Sequence, residues 1–341
     1  MSIVTIDSGT TNTRARVWQN DVVIAQASEA IGVRDTALTG STDTLIRGVK
    51  NALNQALSLA GIELDSSVCI IASGMITSNF GLCEIPHLAT PVDSGDLAKG
   101  MVQKIIPEIC PFPIWFIPGV KNHVPHIDIS NCDAMDMMRG EETEVIGAMH
   151  YFNLKKETLV ILPGTHSKFI AVNKHQQIIG CASTMAGELL AVLTNNTILT
   201  QSLGNQFAHQ IDEEYLLRGA ESCKNVGLAR SCFLVRILSM FSQATENQVA
   251  NYLLGAVLYS DILTIKNSQA LNIRPDVNIV VCGKKILRQA LALLIQNDDY
   301  FHGQLISPDE EEGQPLSGIG AITIARQMQQ LNHSTHREVF K

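Results

Sequence analysis

The sequence predicts an α/β protein of two domains, and three observations lead there. Short apolar, β-branched runs alternate with longer helical stretches, the pattern of sheets layered by helices. The chain has 341 residues, 45% hydrophobic and 17% charged, enough to fill two separate cores. A strand–polar turn–strand unit at Ile3–Val17 is echoed by another at Thr158–Val172, which hints at an internal duplication. The boundary is placed near Arg139, giving domains of residues 1–138 and 139–341.

Ile3–Ile6 is apolar and β-branched, the composition of a buried strand. Thr13–Trp18 partly alternates and reads as its hairpin partner, and Val22–Ser28 continues the strands. A helix is predicted from Thr42 to Leu59, with Ser41 or Thr42 as its cap and Gly61 past its end. Val68–Ala72 is a short strand running into the polar, glycine-containing loop Ser73–Gly81. Ile114–Ile117 is another strand and stops at Pro118-Gly119. In the second half Glu141–Met149 is helical, and Thr158–Leu162 and Phe169–Val172 are strands around the turn Pro163–Lys168. Helices fill much of Ala186–Lys266. Val277–Cys282 is a strand, followed by a helix over Lys284–Gln296; Leu316–Ile322 suits a helix packed on a sheet. The acidic run Asp309–Glu312 is expected in a solvated loop, and the tail from His333 is polar and expected to be mobile.

The turn after the first strand carries the most chemistry. Asp7, Ser8, Gly9, Thr10, Thr11 and Asn12 can aim backbone N–H groups and hydroxyls at an anion, forming a nest for phosphate, or can make an ordinary hairpin loop. Asp7, at the strand end, can hold Mg²⁺ through water, because Mg²⁺ takes few carboxylates and keeps its waters. In the second turn Gly164 permits close backbone approach, and Thr165 and Ser167 can donate to phosphate oxygens. Lys168 either neutralises charge there or begins the next strand.

Several other chemistries lose support. A formal net charge of −8 argues against non-specific nucleic-acid binding. The eight cysteines show no CxxC spacing and several sit in apolar runs, so buried thiols are expected rather than disulfides or zinc. No apolar run is long enough to cross a bilayer, no basic-then-apolar leader opens the sequence, and a cytoplasmic protein with no membrane partner is expected. GxxxxGKS/T, a GxGxxG after a strand and HExxH are all missing, which removes a P-loop, a dinucleotide fold and that zinc motif.

Asp7–Asn12 resembles the first phosphate loop of the actin-like ATPase superfamily, which includes sugar kinases and actin. Pro163–Lys168 resembles its second phosphate loop. Ile279–Lys285 is similar to its adenosine motif, with Lys284 where a second glycine is usual. Leu316–Ile322 looks like its small-residue interdomain helix. With Ser73–Asn79, Pro118-Gly119, Met138–Thr143 and Thr184–Leu189, the set resembles one family, 2-dehydro-3-deoxygalactonokinase, from Ile3 to about Ala325.

That resemblance implies two ribonuclease H-like lobes with a cleft between them. It implies ATP and Mg²⁺ as cofactors and a small-molecule sugar acid as substrate. The reaction would be phosphorylation of 2-dehydro-3-deoxy-D-galactonate on its terminal (6-) hydroxyl, in galactonate catabolism. Asp7 would organise Mg²⁺, while Ser8, Gly9, Thr10, Thr11 and Asn12 would hold phosphates, faced by Gly164, Thr165, His166 and Lys168. Gly283 would border the adenine. The base of related carbohydrate kinases is an Asp after Gly; here Gly140-Glu141 departs from that pattern, so Glu141 is the candidate, with Asp133 and Asp136 nearby. Arg139 or Arg14 would meet the substrate carboxylate, since an Arg fork binds it in bidentate fashion. Ser73, Gly74, Met75 and Asn79 would contact the sugar.

Four alternatives stay open: a kinase for a related sugar acid, an exopolyphosphatase-type phosphohydrolase, a non-catalytic sugar sensor and an assembly ATPase. The sequence opens on the first strand, so no DNA-binding module of a sensor is expected ahead of it. A homodimer is the default expectation for oligomeric state.

Overall fold

The β-branched runs and amphipathic stretches become alternating strands and helices in the computed structural model, which describes residues 2–308 and 315–338. Among these, the chain forms β1 (Ile3–Ser8), β2 (Thr13–Gln19), β3 (Val22–Glu29), α1 (Val33–Thr39), α2 (Asp43–Ala60), β4 (Cys69–Gly74), β5 (Leu88–Ala89), α3 (Ser94–Gly100), β6 (Val102–Ile106), β7 (Cys110–Phe116), β8 (Val120–Lys121) and β9 (Met137–Met138). The second half adds α4 (Glu141–Tyr151), β10 (Thr158–Leu162), β11 (Ser167–Val172), β12 (Ile178–Thr184), α5 (Ala186–Asn195), α6 (Glu213–Val226), α7 (Leu228–Phe241), α8 (Glu246–Asn267), β13 (Asn278–Val281), α9 (Lys285–Gln296), β14 (Leu305–Ile306) and α10 (Leu316–Glu338).

Two sheets share one logic. The first has the order β3-β2-β1-β4-β7-β6 and the second β12-β11-β10-β13-β14. In each, an antiparallel three-strand meander is extended by two parallel strands across its first member, and in the first sheet β6 then adds antiparallel to β7. The echo between the two strand–turn–strand units is therefore repeated in the topology. The architecture is α/β, built on two sheets of related topology.

α4 and α10 pass between the sheets. α10 packs along α4 and also on β1, β4 and α3, while α4 reaches β10. The crossing is close. A β-carbon added at Gly147 of α4 would overlap the Leu316 carbonyl oxygen, and one at Gly320 of α10 would overlap that of Thr143. A shared core of Ile71, Ile117, Val145, Val160, Ile170, Val280 and Ile324 joins the layers, and each sheet has a further core on its outer side.

Local signals explain most boundaries. α2 starts one residue inside the expected cap: Thr42 is its N-cap, and the Asp43 N–H donates to Ser41 Oγ at 3.1 Å. It ends at Gly61, whose φ of 64° is left-handed. Lys168 lies within β11, not in the turn. α1, α3, β12 and the short strands β5, β6, β8, β9 and β14 were not anticipated; α1 and α3 have seven residues each, and Gly180 with other small residues hides the period of β12. α10 runs far past Ile322, and its backbone stays helical across the polar stretch His333–Glu338. The acidic run Asp309–Glu312 lies outside the described residues. All eight cysteines are free thiols, five of them buried. Among the described residues no helix is long and apolar enough to cross a membrane.

Candidate functional site

Parallel strands end side by side at the site. Asp7 pairs in register with Ser73 and Ser8 with Gly74, so β1 and β4 deliver their last residues to one place; β10 and β13 do the same in the other sheet. A crevice beyond the carboxyl ends of parallel strands is where such sheets bind ligands. Two cavities open here, of about 810 and 1200 Å³. Asp7, Arg14, Ser28 and Glu144 line both, which makes them one continuous cleft.

The first loop is fixed from below. The Gly9 N–H donates to the Asn12 carbonyl at 2.8 Å, closing the turn. Backbone N–H groups of Val33 and Arg34, at the start of α1, hold the carbonyls of Gly9 and Thr10 at 3.2 and 2.9 Å. The N–H groups of Thr10 and Thr11 make no hydrogen bond among the described residues, and Gly9, Thr10, Thr11 and Asn12 all line the smaller cavity. Ser8 departs from expectation: its hydroxyl is fully buried, 2.8 Å from Thr13 Oγ1, so its side chain supports the hairpin rather than the cleft.

The second loop is held in the same manner. The Glu188 N–H, at the start of α5, donates to the Thr165 carbonyl at 2.9 Å. His166 and Lys168 line the smaller cavity, and His166 Nε2 lies 2.8 Å from Glu188 Oε2. Gly164 and Thr165 line neither of the two cavities, so the structure brings only the later part of this loop to the cleft. Gly283 borders the larger cavity beside Lys284 and Lys285.

α4 brings the acids. Gly140 precedes it with a φ of 116°, and a β-carbon there would stand 3.1 Å from Gly74 Cα, whose own φ is 90°. Only glycine adopts both conformations without strain, and this lets the helix start against the end of β4. Glu141 lines the smaller cavity, its Oε2 accepting the Arg139 N–H at 3.0 Å. Glu142 points the other way, fully buried, accepting the Gly140 N–H with both oxygens. Burial, then the charge of Glu141, pushes Glu142 up to about 8.

Glu144, one turn on, was not singled out in the sequence. It faces the cleft beside Asp7, and burial followed by the Asp7 charge pushes it up to about 8. Asp7 is also raised by burial, against the pull of Arg16 and Arg14. Two close carboxylates that repel each other form a donor set suited to Mg²⁺, which takes one or two carboxylates and completes its shell with water and phosphate oxygens. Among the described residues no group of three or more His, Cys, Asp or Glu gathers as a metal site.

The candidate arginines separate. Arg139 Nη1 donates to both the carbonyl and Oγ1 of Thr77 at 2.7 Å, and Nη2 to the Ile85 carbonyl at 2.9 Å and His87 Nδ1 at 3.2 Å. Its fork is already occupied, which corrects the expectation that it could clamp a substrate carboxylate. The Arg14 side chain makes no hydrogen bond or ion pair among the described residues and lines both cavities, and its backbone pairs in register with Asp7.

Of the expected sugar contacts, Gly74, Met75 and Asn79 line the smaller cavity, whereas Ser73 is buried beneath it. The alternative bases are elsewhere. Asp136 accepts from Ser183 and the Met137 N–H, and Asp133 from Ser268 and the Gln269 N–H; neither lines the cleft.

A family profile described as 2-keto-3-deoxy-galactonokinase matches residues 7–307. The chain is 26% identical over 268 residues to the 2-dehydro-3-deoxygalactonokinase of Escherichia coli strain K12, covering 77% of this chain and 80% of that one. It is 28% identical over 199 residues, 58% of each chain, to a Rhizobium meliloti protein proposed to be the same kinase. A crystal structure from Sinorhizobium meliloti, also proposed to be a 2-dehydro-3-deoxygalactonokinase, superposes with a TM-score of 0.72 at 22% identity, over 95% of this chain and 98% of that one. That likeness shows the fold.

Proposed function

The chain belongs to the 2-keto-3-deoxy-galactonokinase family, a family of sugar-acid kinases, and on that footing we propose that it transfers the γ-phosphoryl group of ATP to the terminal (6-) hydroxyl of 2-dehydro-3-deoxy-D-galactonate. The products would be the 6-phosphate and ADP, within galactonate catabolism. One observation carries the site assignment: Glu141 opens a helix in the same cleft as the first phosphate loop, one turn before Glu144, which feels the Asp7 charge.

Phosphoryl transfer is chiefly positioning and charge stabilisation. The larger cavity, with Gly283 at its edge, suits the nucleoside, and the shared end at Asp7 suits the triphosphate. The free N–H groups of Thr10 and Thr11 are donors for phosphate oxygens there. Asp7 and Glu144 would hold Mg²⁺, which when bound neutralises charge on the phosphates. Arg14, whose side chain makes no hydrogen bond or ion pair among the described residues and whose charge acts on Asp7, would stand at this phosphate end. Glu141 would accept the proton of the attacking hydroxyl, its direction set by the Arg139 N–H. Gly74, Met75 and Asn79 would border the acceptor.

The test is ADP release by purified protein with Mg²⁺-ATP, with and without a panel of 2-keto-3-deoxy sugar acids and neutral sugars. Release that requires 2-keto-3-deoxygalactonate supports the proposal. Release with another acid alone makes the protein a kinase for that acid. Release of phosphate without any acceptor favours a phosphohydrolase.

A further inference from the structure

The smaller cavity is charged unevenly. Asp7, Glu141 and Glu144 line it together, Glu144 pushed up to about 8 by burial and by the Asp7 charge, and on the proposed reading they mark its phosphate end. On the other side, His87 is faced by Arg139, Lys121 and Lys168, with exposed Glu84 at the rim. An anionic acceptor whose hydroxyl must reach Glu141 is repelled at one end and drawn to the other. Arg139 cannot supply the contact, because its fork holds Thr77, Ile85 and His87.

That engagement has a chemical consequence for His87. A guanidinium nitrogen only donates, so the Nδ1 that it touches must accept, and the ring proton is on Nε2. Nε2 has no partner among the described residues. Burial, then the Arg139, Lys121 and Lys168 charges, lowers the imidazole to about 4, which keeps it neutral with that single N–H. The ring fits only because residue 119 is glycine: a β-carbon there would stand 2.7 Å from His87 Cδ2 and 2.7 Å from the Met138 carbonyl oxygen. On the adjoining residue, the Met137 carbonyl accepts from Lys168 Nζ at 2.8 Å, and Ser183 Oγ lies 2.6 Å from the same nitrogen. The ammonium's third hydrogen remains, and Lys168 lines the cavity.

We propose that His87 Nε2–H and the Lys168 ammonium form the subsite for the acceptor's carboxylate, so that the sugar acid lies with its carboxylate on this wall and its terminal hydroxyl toward Glu141. This rests on the kinase reading above. It moves Lys168 from the phosphates to the acceptor and makes Arg139 a positioning residue that sets the His87 tautomer.

The test is steady-state kinetics of His87→Ala and Lys168→Met with two acceptors, the acid and its analogue bearing CH₂OH in place of the carboxylate. Binding of the acid is measured in parallel by calorimetry. Each variant should raise KM and Kd for the acid by roughly tenfold or more, the scale of a hydrogen bond to a charged group. KM for ATP and for the alcohol analogue should stay within about twofold. An unchanged KM and Kd for the acid in both variants overturns the subsite while leaving the kinase intact. A Lys168→Met variant whose KM for ATP rises instead returns Lys168 to the phosphates and also overturns it. If the wild type binds the acid without phosphorylating it, and the variants lose that binding, the subsite stands and the kinase reading falls. If the wild type neither binds nor phosphorylates it, both fall.

Discussion

Gly32 and Gly187 hold equivalent places in the two halves of the molecule. Gly32 caps the helix that follows the first three-strand meander, Gly187 lies in the first turn of the helix that follows the second, and each sits under a phosphate-loop candidate. A β-carbon at Gly32 would overlap the backbone of Thr10, and one at Gly187 the carbonyl oxygen of Gly164. Gly32 has extended backbone, so what it supplies is space. With the N–H groups of Val33, Arg34 and Glu188 on the loop carbonyls, both loops rest on a helix start.

Gly32→Ala and Gly187→Ala should therefore each displace a loop. We expect a stability loss of about 1–3 kcal/mol, as for other overpacked sites, and a KM for ATP raised by roughly tenfold. Thermal denaturation and ATP titration check both. A folded Gly32→Ala variant with unchanged KM for ATP would separate the first loop from the nucleotide.

Glu141→Gln keeps the acceptor for the Arg139 N–H and removes the basic oxygen. Turnover should fall by about 10²–10⁴-fold, with KM for the acid changed far less. A near-normal rate would remove Glu141 as the base. Asp133 and Asp136 would be poor heirs, since their carboxylates tie other loops together outside the cleft.

Asp7→Asn and Glu144→Gln should each raise the Mg²⁺ concentration needed for half-maximal rate by roughly tenfold, because each deletes one of two charges available to the cation. Titration of the rate with MgCl₂ at saturating ATP reads this directly. Unchanged metal dependence in both variants takes the pair out of the metal site.

Glu142 has a pH signature. Burial holds it at about 8 against 4.5 for an exposed glutamate, so above pH 4.5 the folded chain keeps a proton that the unfolded chain has released. Folding stability from this group is thus complete below pH 4.5 and is lost progressively as pH rises toward about 8. Glu142→Gln lacks that term while still accepting from Gly140. Its thermal midpoint should gain on the wild type steadily across this window; Glu144, raised to a similar value in part by the Glu142 charge, relaxes in the variant and shifts the difference in the same direction. Parallel curves would mean that Glu142 ionises freely in the folded state.

The sequence showed what is local. Asp7–Asn12 and Pro163–Lys168 were readable because a strand end, a small polar turn and a return strand are adjacent in the chain. Ser8 was misjudged since its direction depends on pairing with Thr13 across the hairpin. Arg139 read as an available cation, and only the fold shows its four acceptors on a loop some fifty to sixty positions earlier. Glu144 carried a usable signal, three positions after Glu141 and so on the same helix face. His87 carried none: it sits between prolines and short strands with no period, and it matters only because Gly119 and Arg139 shape its surroundings.

The most direct test of the central claim is the ³¹P NMR spectrum of the product formed from Mg²⁺-ATP and 2-keto-3-deoxygalactonate. The expected result is a phosphomonoester split by the two protons of a terminal CH₂, appearing in step with ADP. Inorganic phosphate alone, or a phosphoryl group on a carbon bearing a single proton, would contradict transfer to the terminal hydroxyl.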